Sequence, residues 1–511
     1  MAKLPSHTQY LEGELMLFIT LRTCTLVLAS LIIVSCGGGG SDQVSGVTST
    51  DTGSSSTGTA PPPLSDAYQV FEGNILLAAP TDTSIKMLVL TPRSGSLVVT
   101  YQSNLAMQEL QWPAGMVTPN VPKEIVLSGL KANTRYTYKL SMQTTSGTLI
   151  SSAYTFNTAK PTGSTFTFTL QADSHLDENS DLAVYQQTLG NILFDQPDFH
   201  IDLGDTFMTE KYSEPLSPTL QAATNADIVN QRYVYERNNF GLISHSSPLF
   251  LVNGNHDGEL GWMLNGTKNS LPVWATSARQ TYFANPQPNG FYLGDTYKDT
   301  LTGDRASWYA WHWGDALFVV LDPYWNSPAQ SSKDGWNLTL GERQYQWLAK
   351  TLAESQAKHK MLFIHNLVGG LDGQMRGGVE AAPFFEWGGK NLDGSAGFSS
   401  RRPGWELPIH DLLVKYKVKA VFHGHDHLYA KQDLDGIVYQ TVPQPSAKNF
   451  SNGASIAKDY HYNSGEILSS SGHLRVKVAP NQISAEYVRS WLSSQETPTR
   501  KNRQVDASWS N

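Results

Sequence analysis

Five short polar motifs between residues 165 and 427 each follow an apolar segment, and each carries side chains that can bind a metal ion. The segments read TFTFTLQADSH, FHIDLGD, PLFLVNGNHD, KMLFIHN and KAVFHGHDH. In open α/β sheets, binding sites form just outside the carboxyl ends of strands. Aspartate, asparagine and histidine are ligands for borderline divalent and trivalent metals, so five such motifs in succession predict a metal centre. Its candidate ligands are Asp173, His175, Asp205, Asn255, His365, His425 and His427.

The ligand types also indicate the reaction. Two metal ions about 3.5 to 4 Å apart can bind the attacking and the leaving oxygen of an in-line displacement. A carboxylate can bridge the two metals, while neutral imidazole and amide ligands leave the site positive enough to receive a phosphate. A water molecule bound there has a pKa of about 7 and serves as the nucleophile. We therefore expect the hydrolysis of a phosphate ester.

The motifs resemble those of the calcineurin-like metallophosphoesterase superfamily, which are D-x-H, G-D, G-N-H, a single H and G-H-x-H. All five occur here in that order over residues 165–430. The resemblance implies an α/β (α+β) metallophosphoesterase sandwich, with two central mixed β-sheets flanked by helices. It also implies two metal ions as cofactors, and Mn, Fe and Zn are all compatible with these ligands.

The same resemblance implies a role for each site residue. The metal-binding residues divide into two sets with a bridging carboxylate: Asp173, His175 and His427 for the first metal, Asn255, His365 and His425 for the second, and Asp205 between them. His256 is then the catalytic residue, which donates a proton to the leaving alkoxide and contacts a phosphoryl oxygen. The alternative for His256 is a turn histidine that is hydrogen-bonded to neighbouring backbone.

Purple acid phosphatases, which pair a fibronectin-like domain with this catalytic fold, are similar in layout but differ at the first metal. They carry a tyrosine ligand three residues after the bridging aspartate, and Met208 occupies that place here. They also lack the histidine that His175 supplies. We therefore expect a first metal site of the general superfamily type and no tyrosinate-coloured iron centre.

A second family of hydrolases, with the metallo-β-lactamase fold, uses the motif H-x-H-x-D-H. The stretch from His423 to His427 comes close, but it is one residue short between the second histidine and the aspartate. That register excludes the metallo-β-lactamase interpretation. We expect His423 to orient a ligand or simply to pack at the end of its strand.

The pattern of apolar and polar residues changes near residue 160. Residues 66–160 contain short strand-like runs with turn signals between them, namely SIKMLVLTP, GSLVVTYQS, KEIVLSGL, TRYTYKLSMQ and LISSAYTFNT. They predict a β-sandwich, and LSGLKANTRYTYKL is similar to the fibronectin type III pattern. Residues 161–511 alternate apolar strands with helical periods such as TLAESQAKHK and NADIVNQRYVYERNNFGLI, and HLRVKVAPNQISAEYVRSW predicts two strands joined by a turn.

The first 65 residues predict export. From Met16, an alternative start to Met1, the sequence reads MLFITLRTCTLVLASLIIVSCGGGGS, which has the order of a signal peptide. Residues 1–36 end in a segment that resembles the bacterial lipobox, so we expect Cys36 to be lipidated and the protein to lie in the cell envelope. A transmembrane anchor is the alternative, but the uncharged run is shorter than the ~20 residues of a span. Residues 37–65 predict a flexible Gly/Ser/Thr/Pro linker.

Composition limits the partners. A chain of 511 residues predicts two domains with tails. The net charge of −8 and the pI near 6.0 argue against nucleic-acid binding through a basic surface. The two cysteines, Cys24 and Cys36, both lie in the signal segment, so the mature chain has no disulfide. The expected partners are a small phosphate ester and the lipid membrane.

A long glycine-rich segment follows the fourth motif and predicts a loop with a functional role. Arginines there could bind a phosphate and tryptophans could stack on a ring; the candidates are Arg376, Arg401 and Trp387, together with Arg402 and Trp405. The alternative is a structural flap in which these side chains pack or pair with Glu380 and Glu386. A second candidate rim is residues 443–465, which contain His461, and His200 is expected to have no chemical role.

Three functions fit this sequence. The first is an exported, membrane-tethered phosphoesterase, and the second is a phosphodiesterase or nucleotidase with the same ligands. The third is a non-catalytic metal-binding lipoprotein that binds a partner through its β domain. Sites that have lost activity usually lack a ligand or the proton donor, and here all are present. Completeness therefore favours an enzyme.

Overall fold

A computed structural model describes residues 69–106, 108–177, 179–209, 225–328 and 334–511. The predicted signal peptide with its Cys36, the whole of the predicted linker and residues 66–68 lie outside the described residues. Among the helices that are described, none combines the length and the apolar character that a membrane span requires.

The N-terminal part of the described chain is a β-sandwich of two antiparallel-rich sheets. One sheet has the order β1-β8-β7-β4-β5, with β9 also paired to β7, and the other has the order β2-β3-β6. Side chains alternate along β7, where Tyr136, Tyr138, Leu140 and Met142 are buried between the sheets. The strands are β1 (Gln69–Val70), β2 (Asn74–Ala78), β3 (Ser84–Leu90), β4 (Gly95–Ser103), β5 (Leu110–Val117), β6 (Lys123–Ser128), β7 (Arg135–Thr144), β8 (Gly147–Ile150) and β9 (Tyr154–Asn157).

Two mixed sheets form the centre of the remaining chain, and the predicted fold class is confirmed. The first has the order β12-β11-β10-β23-β24-β25 and the second the order β13-β16-β17-β18-β19-β21-β20-β22. The strands are β10 (Phe166–Gln171), β11 (Phe199–Asp202), β12 (Leu249–Leu251), β13 (Leu293–Gly294), β14 (Lys298–Asp299), β15 (Gly303–Asp304), β16 (Tyr309–Trp313), β17 (Ala316–Val320), β18 (His359–Ile364), β19 (Ala420–His423), β20 (Leu428–Leu434), β21 (Ile437–Thr441), β22 (Glu466–Ser469), β23 (Gly472–Ala479), β24 (Gln482–Arg489) and β25 (Val505–Ser510). The pair β14 and β15 forms a small separate sheet.

Aromatic side chains fill the space between the two central sheets. Phe168 on β10 stacks on Phe199 of β11 and meets Phe318 of β17 edge to face, with ring centroids 5.5 and 5.2 Å apart. Phe363 and Phe422, on the neighbouring strands β18 and β19, stack at 5.3 Å. Rings packed in these geometries add to the hydrophobic burial and fix the two sheets face to face.

Helices cover the outer faces of the sheets. The helix α1 begins at an N-cap, Asp181, whose side chain accepts hydrogen bonds from the backbone of Ala183 and Val184. On α4, Tyr345, Leu348 and Leu352 are buried at helical spacing. The helices are α1 (Leu182–Asp195), α2 (Ala226–Ser244), α3 (Leu271–Tyr282), α4 (Glu342–Glu354), α5 (Gly378–Ala381), α6 (Phe385–Gly388), α7 (Phe398–Arg401), α8 (Ile409–Lys415) and α9 (Gly453–Asp459), with 3-10 turns at Gly261–Met263, Gly335–Asn337 and Ser493–Gln495.

Some local predictions were wrong. The run LISSAYTFNT contributes to two strands, β8 and β9, and the strands β1, β2 and β5 were not predicted. The helical period in TLAESQAKHK ends at Glu354, and His359 already begins β18 because its backbone pairs with Ala316 in the second sheet. In each case, pairing with a distant strand decided the local conformation.

The sandwich packs against α2 through a buried arginine. The guanidinium of Arg237 donates hydrogen bonds to the carbonyl oxygen of Leu88 and to the side chain of Asn74, both at 2.6 Å. Ser244, near the end of the same helix, donates to the carbonyl oxygen of Ile75 at 2.8 Å. These bonds join the sandwich to the layer of helices that covers the first central sheet.

Candidate metal centre

The five polar motifs follow five parallel strands, three from one central sheet and two from the other. Strands β10, β11 and β12 are parallel neighbours, and so are β18 and β19. Because parallel strands have their carboxyl ends at the same edge, the turns that follow them meet there. The structure thus brings six of the seven predicted ligands together, and the part of Asn255 in metal binding stays a prediction.

The side chains form two groups of three. The ligand atoms of Asp173, His175 and His427 all lie within 4.8 Å of one another. The ligand atoms of a second group lie within the same 4.8 Å limit, and this group consists of Asp205, His365 and His425. Metal–ligand bonds of about 2.1 Å place neighbouring ligand atoms about 3 to 3.4 Å apart, so groups of this size can each surround one metal ion.

Asp205 lies between the two groups. Its Oδ2 atom is 3.1 Å from Nε2 of His365 in the second group and 3.6 Å from Nε2 of His175 in the first. Its other oxygen, Oδ1, accepts a hydrogen bond from the backbone N–H of His256 at 2.7 Å. One oxygen is therefore held by the backbone, and the other is directed to the position where a bridging carboxylate is needed.

The ligand atoms fit metal ions because several of them are buried without a well-formed hydrogen bond. Oδ1 of Asn255, Nε2 of His365 and Nδ1 of His425 are buried and have no hydrogen bond. Nε2 of His427 lies 3.0 Å from Nε2 of His175, so both nitrogens of this pair are close enough to bind one metal ion. A buried polar atom without a partner costs about 1 to 3 kcal/mol, and metal coordination removes that cost. The residues present therefore fit two metal ions.

Most of the predicted ligands have a strained backbone. Asp173, His175, Asp205, His425 and His427 have φ angles of 62°, 50°, 55°, 76° and 55°. Residues with side chains rarely adopt this left-handed conformation, and it persists only where the surrounding structure enforces it. This conformation recurs in the turns that direct ligand atoms to the centre.

Hydrogen bonds from the backbone orient the ligands. Nδ1 of His365 lies 2.7 Å from the carbonyl oxygen of Leu203, so its N–H donates there and Nε2 faces the centre. The backbone N–H of His425 donates to both carboxylate oxygens of Asp173, at 2.9 and 3.1 Å. The turn after β19 is thereby attached to the turn after β10.

The electrostatic environment keeps the bridging residue ionised. Burial raises the pKa of Asp205, but the imidazoles of His365 and His256 lower it more, and the pKa lies well below its usual range. Burial lowers the pKa of His365, yet Asp205 raises it, to about 9 overall. Burial and then His175 lower the pKa of His427 to about 3. A metal ion bound here would displace a proton from His365, and it would find His427 already neutral.

Two glycines allow the second and third motifs to touch. A Cβ atom on Gly254 would lie 2.2 Å from the backbone nitrogen of Asp205 and 2.4 Å from its Oδ1. Gly204, which has a φ of +96°, would meet the nitrogen of Gly254 at 2.3 Å. The glycines of G-D and G-N-H are thus required by this close contact of two backbones.

Asp257 organises the same contact and was not singled out in the sequence analysis. Its carboxylate accepts hydrogen bonds from four backbone N–H groups, those of Asp205, Thr206, Phe207 and Gly254. It directly follows the G-N-H motif, and that position beside the ligands is the signal that could have identified it. Asp257 therefore holds the bridging residue and the G-N-H turn in one arrangement.

Tyr324 was also missed. It follows β17, in the segment FVVLDPYW, and is thus a polar residue after a sixth strand of the central sheets. The side chain is 2% exposed, its hydroxyl has no hydrogen-bond partner, and its ring lies 6.3 Å from that of His365. Burial, followed by Asp205 and Asp257, raises its pKa, so the hydroxyl keeps its proton and can donate a hydrogen bond at the centre.

The predicted substrate residues have structural partners. The prediction for Trp387 was wrong, because its ring is fully buried in the core beneath α8 and its indole N–H donates to the hydroxyl of Tyr439 at 2.9 Å. Arg401 pairs with Asp334 at 3.1 Å and lies in neither metal-binding group, so its role stays a prediction. Arg402 pairs with Glu386, and Trp405 stacks on Tyr345, as the flap alternative expected.

Arg376 contacts the last metal-binding turn. Its Nη2 donates to the carbonyl oxygen of His425 at 3.1 Å, and its Nε lies 3.0 Å from the carboxylate of Asp426. The guanidinium also covers the ring of Tyr460 at 4.1 Å. Nearby, Asp372 has a pKa lowered to about 2, chiefly by its hydrogen bond with His425. In this position Arg376 supports a metal ligand, and a direct contact with substrate stays a prediction.

Two other histidines have the passive positions expected of them. His423 is buried at the end of β19, and its Nε2 lies 3.2 Å from the hydroxyl of Thr441. His200 is buried on β11, with Nδ1 2.8 Å from the hydroxyl of Thr169. Neither belongs to a metal-binding group.

A hydrolase with two metal ions is the class of protein that this fold and this site define. The family model described as calcineurin-like phosphoesterase matches residues 166–429, which is more than half of the chain. The chain therefore belongs to the calcineurin-like phosphoesterase family, and the predictions of a metallophosphoesterase enzyme and of two metal ions as cofactors are confirmed. No curated protein sequence matches the chain significantly.

Solved structures share the fold at low sequence identity. The purple acid phosphatase PPD1 from seeds of yellow lupin (Lupinus luteus) is 17% identical, with a TM-score of 0.55 over 85% of this chain and 73% of that one. The structure of PhoD is 14% identical, with a TM-score of 0.58 over 88% of this chain and 91% of that one. At these identities the likeness concerns the fold.

Proposed function

We propose that this protein is an exported, membrane-tethered hydrolase of phosphate esters in which His256 donates the proton to the leaving alkoxide. The observation that carries the catalytic part is the position of Asp205 Oδ2, which is within 3.1 Å of one group of ligands and 3.6 Å of the other. When bound, the two metal ions supply the positive charge that attracts the phosphoryl group and activates a water molecule.

The position of His256 supports its role as the proton donor. Its side chain is 21% exposed, and Nε2 lies 3.9 Å from Oδ2 of Asp205. Its ring is 5.3 Å from that of His175, so it lies beside the metal-binding groups and belongs to neither. An imidazole at this place can hold a proton at Nε2 and transfer it to the oxygen that leaves the phosphorus.

The test uses residues 37–511, freed of metal and reloaded with Mn, Fe or Zn. Turnover of para-nitrophenyl phosphate is compared with that of its bis ester, and both are compared with alkyl phosphates in the wild type and in His256→Ala. A nitrophenolate leaves without a proton, whereas an alkoxide needs one. We therefore expect the variant to lose about 10²- to 10⁴-fold on alkyl esters and markedly less on aryl esters. His312→Ala, at an exposed histidine on β16, is the matched control.

Equal losses on alkyl and aryl esters would argue against proton donation by His256. Preference for the bis ester would assign the protein to the phosphodiesterases, which use the same side chains. Two bound metals without turnover of any ester would favour the non-catalytic alternative, a metal-binding lipoprotein that binds a partner through its β domain.

The tether is part of the proposal because of the sequence LASLIIVSCGGGGS, in which Cys36 follows an apolar run. In this arrangement residues 37–65 are the linker, and the sandwich in residues 66–160 precedes the catalytic residues 161–511. Radiolabelled palmitate should be incorporated into the full chain in a bacterial host and should be absent from Cys36→Ser. Equal labelling of both proteins would contradict the lipid anchor.

A further inference from the structure

A cavity of about 310 Å³ lies beside the first metal-binding group. His427, one of the predicted ligands of that group, forms part of its wall, and its imidazole is 31% exposed. Ligand pockets range from about 300 to 1,000 Å³, so this cavity can hold one small group. A group bound there would therefore lie next to the first metal-binding group.

The cavity is built from two segments that hydrogen bonds join to the catalytic turns. The backbone N–H of Asp181 donates to the carbonyl oxygen of Ser446 at 2.8 Å, and that of Lys448 donates to the carbonyl oxygen of Asn179 at 3.2 Å. The hydroxyl of Ser446 donates at 2.6 Å to the carbonyl oxygen of Ser174, inside the first metal-binding motif. The wall is therefore fixed relative to the first metal site.

A serine connects the other side of the cavity to His427. The hydroxyl of Ser470 donates to the carbonyl oxygen of His427 at 2.9 Å and accepts a hydrogen bond from the backbone N–H of Gln444 at 3.0 Å. Gln444 lines the cavity and is buried. One bound ester could thus contact the metal centre and the cavity at the same time.

Amide side chains dominate the lining. The lining residues are Asn179, His427, Gln444, Ala447, Lys448, Asn449, Asn452 and Ile456. Four of them carry amides, each with donor and acceptor capacity. The Oδ1 atom of Asn452 is buried without a hydrogen-bond partner, and this side chain makes no capping bond to α9. The lining therefore offers both hydrogen-bond donors and acceptors to a bound group.

The lining distinguishes between classes of alcohol. A second phosphate would require several cations, and Lys448 is the one cation among the described lining residues. A nucleobase or an aryl group would favour stacking, yet the described lining has no aromatic ring apart from the imidazole of His427. An aliphatic alcohol would make no hydrogen bonds with the four amide groups. Hydroxyls, which both donate and accept, match the amides.

We propose that this cavity binds the alcohol portion of the substrate and that this portion is a polyhydroxylated group such as a hexose or a polyol. The inference rests on the proposed function, since it concerns the ester that the metal centre hydrolyses. The cavity then acts as the specificity site, and the metal centre acts on the phosphorus of any ester that reaches it.

The test compares two esters of the same shape with the metal-loaded protein. One is a hexose phosphate esterified at the primary alcohol, and the other is cyclohexylmethyl phosphate, which lacks the hydroxyls. The methyl diesters of both are included, so that a diesterase is examined as well. The readout is the ratio of kcat/KM for the hexose ester to kcat/KM for the cyclohexylmethyl ester.

We expect a ratio well above one in the wild type and a fall of about tenfold in Asn452→Ala, which is the effect of one lost hydrogen bond. Asn179→Ala, on the other segment of the wall, should lower the ratio in the same direction. The matched control is Asn238→Ala, at an exposed amide on α2 that is bonded to Asn74 of the sandwich. The thermal unfolding midpoint of each variant verifies that it is folded.

The same ratio in all four proteins would overturn the inference. If para-nitrophenyl esters are hydrolysed but the hexose is not preferred, the specificity site is wrong and the proposed function stands. If no ester is hydrolysed in a metal-dependent way, the proposed function is overturned, and this inference with it.

Discussion

Replacement of Asp257 by asparagine tests whether the buried carboxylate holds the bridging ligand in place. Oδ1 of Asp257 accepts from the backbone N–H groups of Thr206 and Phe207, at 2.8 and 3.0 Å. Oδ2 accepts from those of Gly254 and Asp205, at 2.7 and 3.1 Å. Burial and then Asp205 raise the pKa of this carboxyl, and the backbone bonds lower it.

The magnitude follows from the number of donors. Asparagine has one carbonyl oxygen, so it can serve one pair of N–H groups and turns its own NH₂ group toward the other pair. Two buried N–H groups then lose their acceptor, at about 1 to 3 kcal/mol each, and we expect Asp257→Asn to lower the free energy of unfolding by about 2 to 6 kcal/mol. Either pair of N–H groups belongs to the turn of a predicted metal ligand. The loss of its hydrogen bonds should therefore lower the affinity of the protein for metal by about 10- to 100-fold.

The free energy of unfolding is measured in urea on the metal-free protein. The metal bound per chain is measured on a separate folded sample that has been reloaded with metal. The control is Asp181→Asn at the N-cap of α1, where a single oxygen accepts from Ala183 and Val184 at 2.8 and 3.2 Å. Asparagine is as good an N-cap as aspartate, so the same chemical change should alter stability there by less than about 0.5 kcal/mol.

An Asp257→Asn variant that unfolds at the same urea concentration as the wild type and binds two metals would refute this account. That result would mean that the four N–H groups find other acceptors or that the turn holds its shape without them. A variant that is destabilised but keeps its metal affinity would support the effect on stability and contradict the effect on metal binding.

Three further predictions concern charge and metal. Burial raises the pKa of Glu259, but two arginines lower it more, from 4.5 to about 2 overall. The carboxylate therefore contributes about 3 kcal/mol to the free energy of unfolding above about pH 5, and this contribution is lost as the pH falls toward 2. The free energies of unfolding of wild type and Glu259→Gln, measured in urea, should converge over that range. Arg376→Ala should weaken activation by the metal that His425 binds, by about 10- to 100-fold in a metal titration, with the substrate KM unchanged at saturating metal. Chelation should lower stability by about 3 kcal/mol if the metal was present at about a hundred times its Kd, and Asp205→Asn should largely lose this effect in thermal unfolding.

Each of these predictions has an outcome that would contradict it. If the free energies of unfolding of wild type and Glu259→Gln differ by the same amount across the acid range, the carboxyl of Glu259 does not titrate as described. A raised KM of Arg376→Ala at saturating metal would instead support the predicted contact of Arg376 with the substrate. The control is Arg93→Ala, which removes an exposed salt bridge in the sandwich. If chelation leaves the midpoint of thermal unfolding unchanged, the metal does not stabilise the fold.

The N-terminal sandwich shows the limits of local patterns. Its alternating strands were predictable because one face of each is buried, and β7 follows the pattern closely. The strand β5 was not, because its side chains are mostly exposed and it contains Pro113. Its conformation comes from pairing with β4, which no local pattern records.

The sequence by itself was enough to predict which side chains form the candidate metal centre. Each of them follows an apolar strand by one to four residues, and this arrangement is local, so the motif is visible wherever the strand is. The parallel order of β10, β11 and β12 then brings the turns together by a general property of such sheets. The fold class was predicted through the resemblance of the same motifs to the calcineurin-like superfamily, and it is confirmed.

Only the tertiary structure decided which of the remaining polar and aromatic side chains serve the site. Trp387 and Arg376 are both in the loop after His365, yet one is buried in the core and the other supports a metal-binding turn. Asp257 and Tyr324 gain their importance from backbone groups and rings that are distant in sequence. The cavity beside His427 is likewise formed by segments far apart in the chain. Burial and hydrogen-bond partners depend on contacts between such segments, and a linear pattern does not contain them.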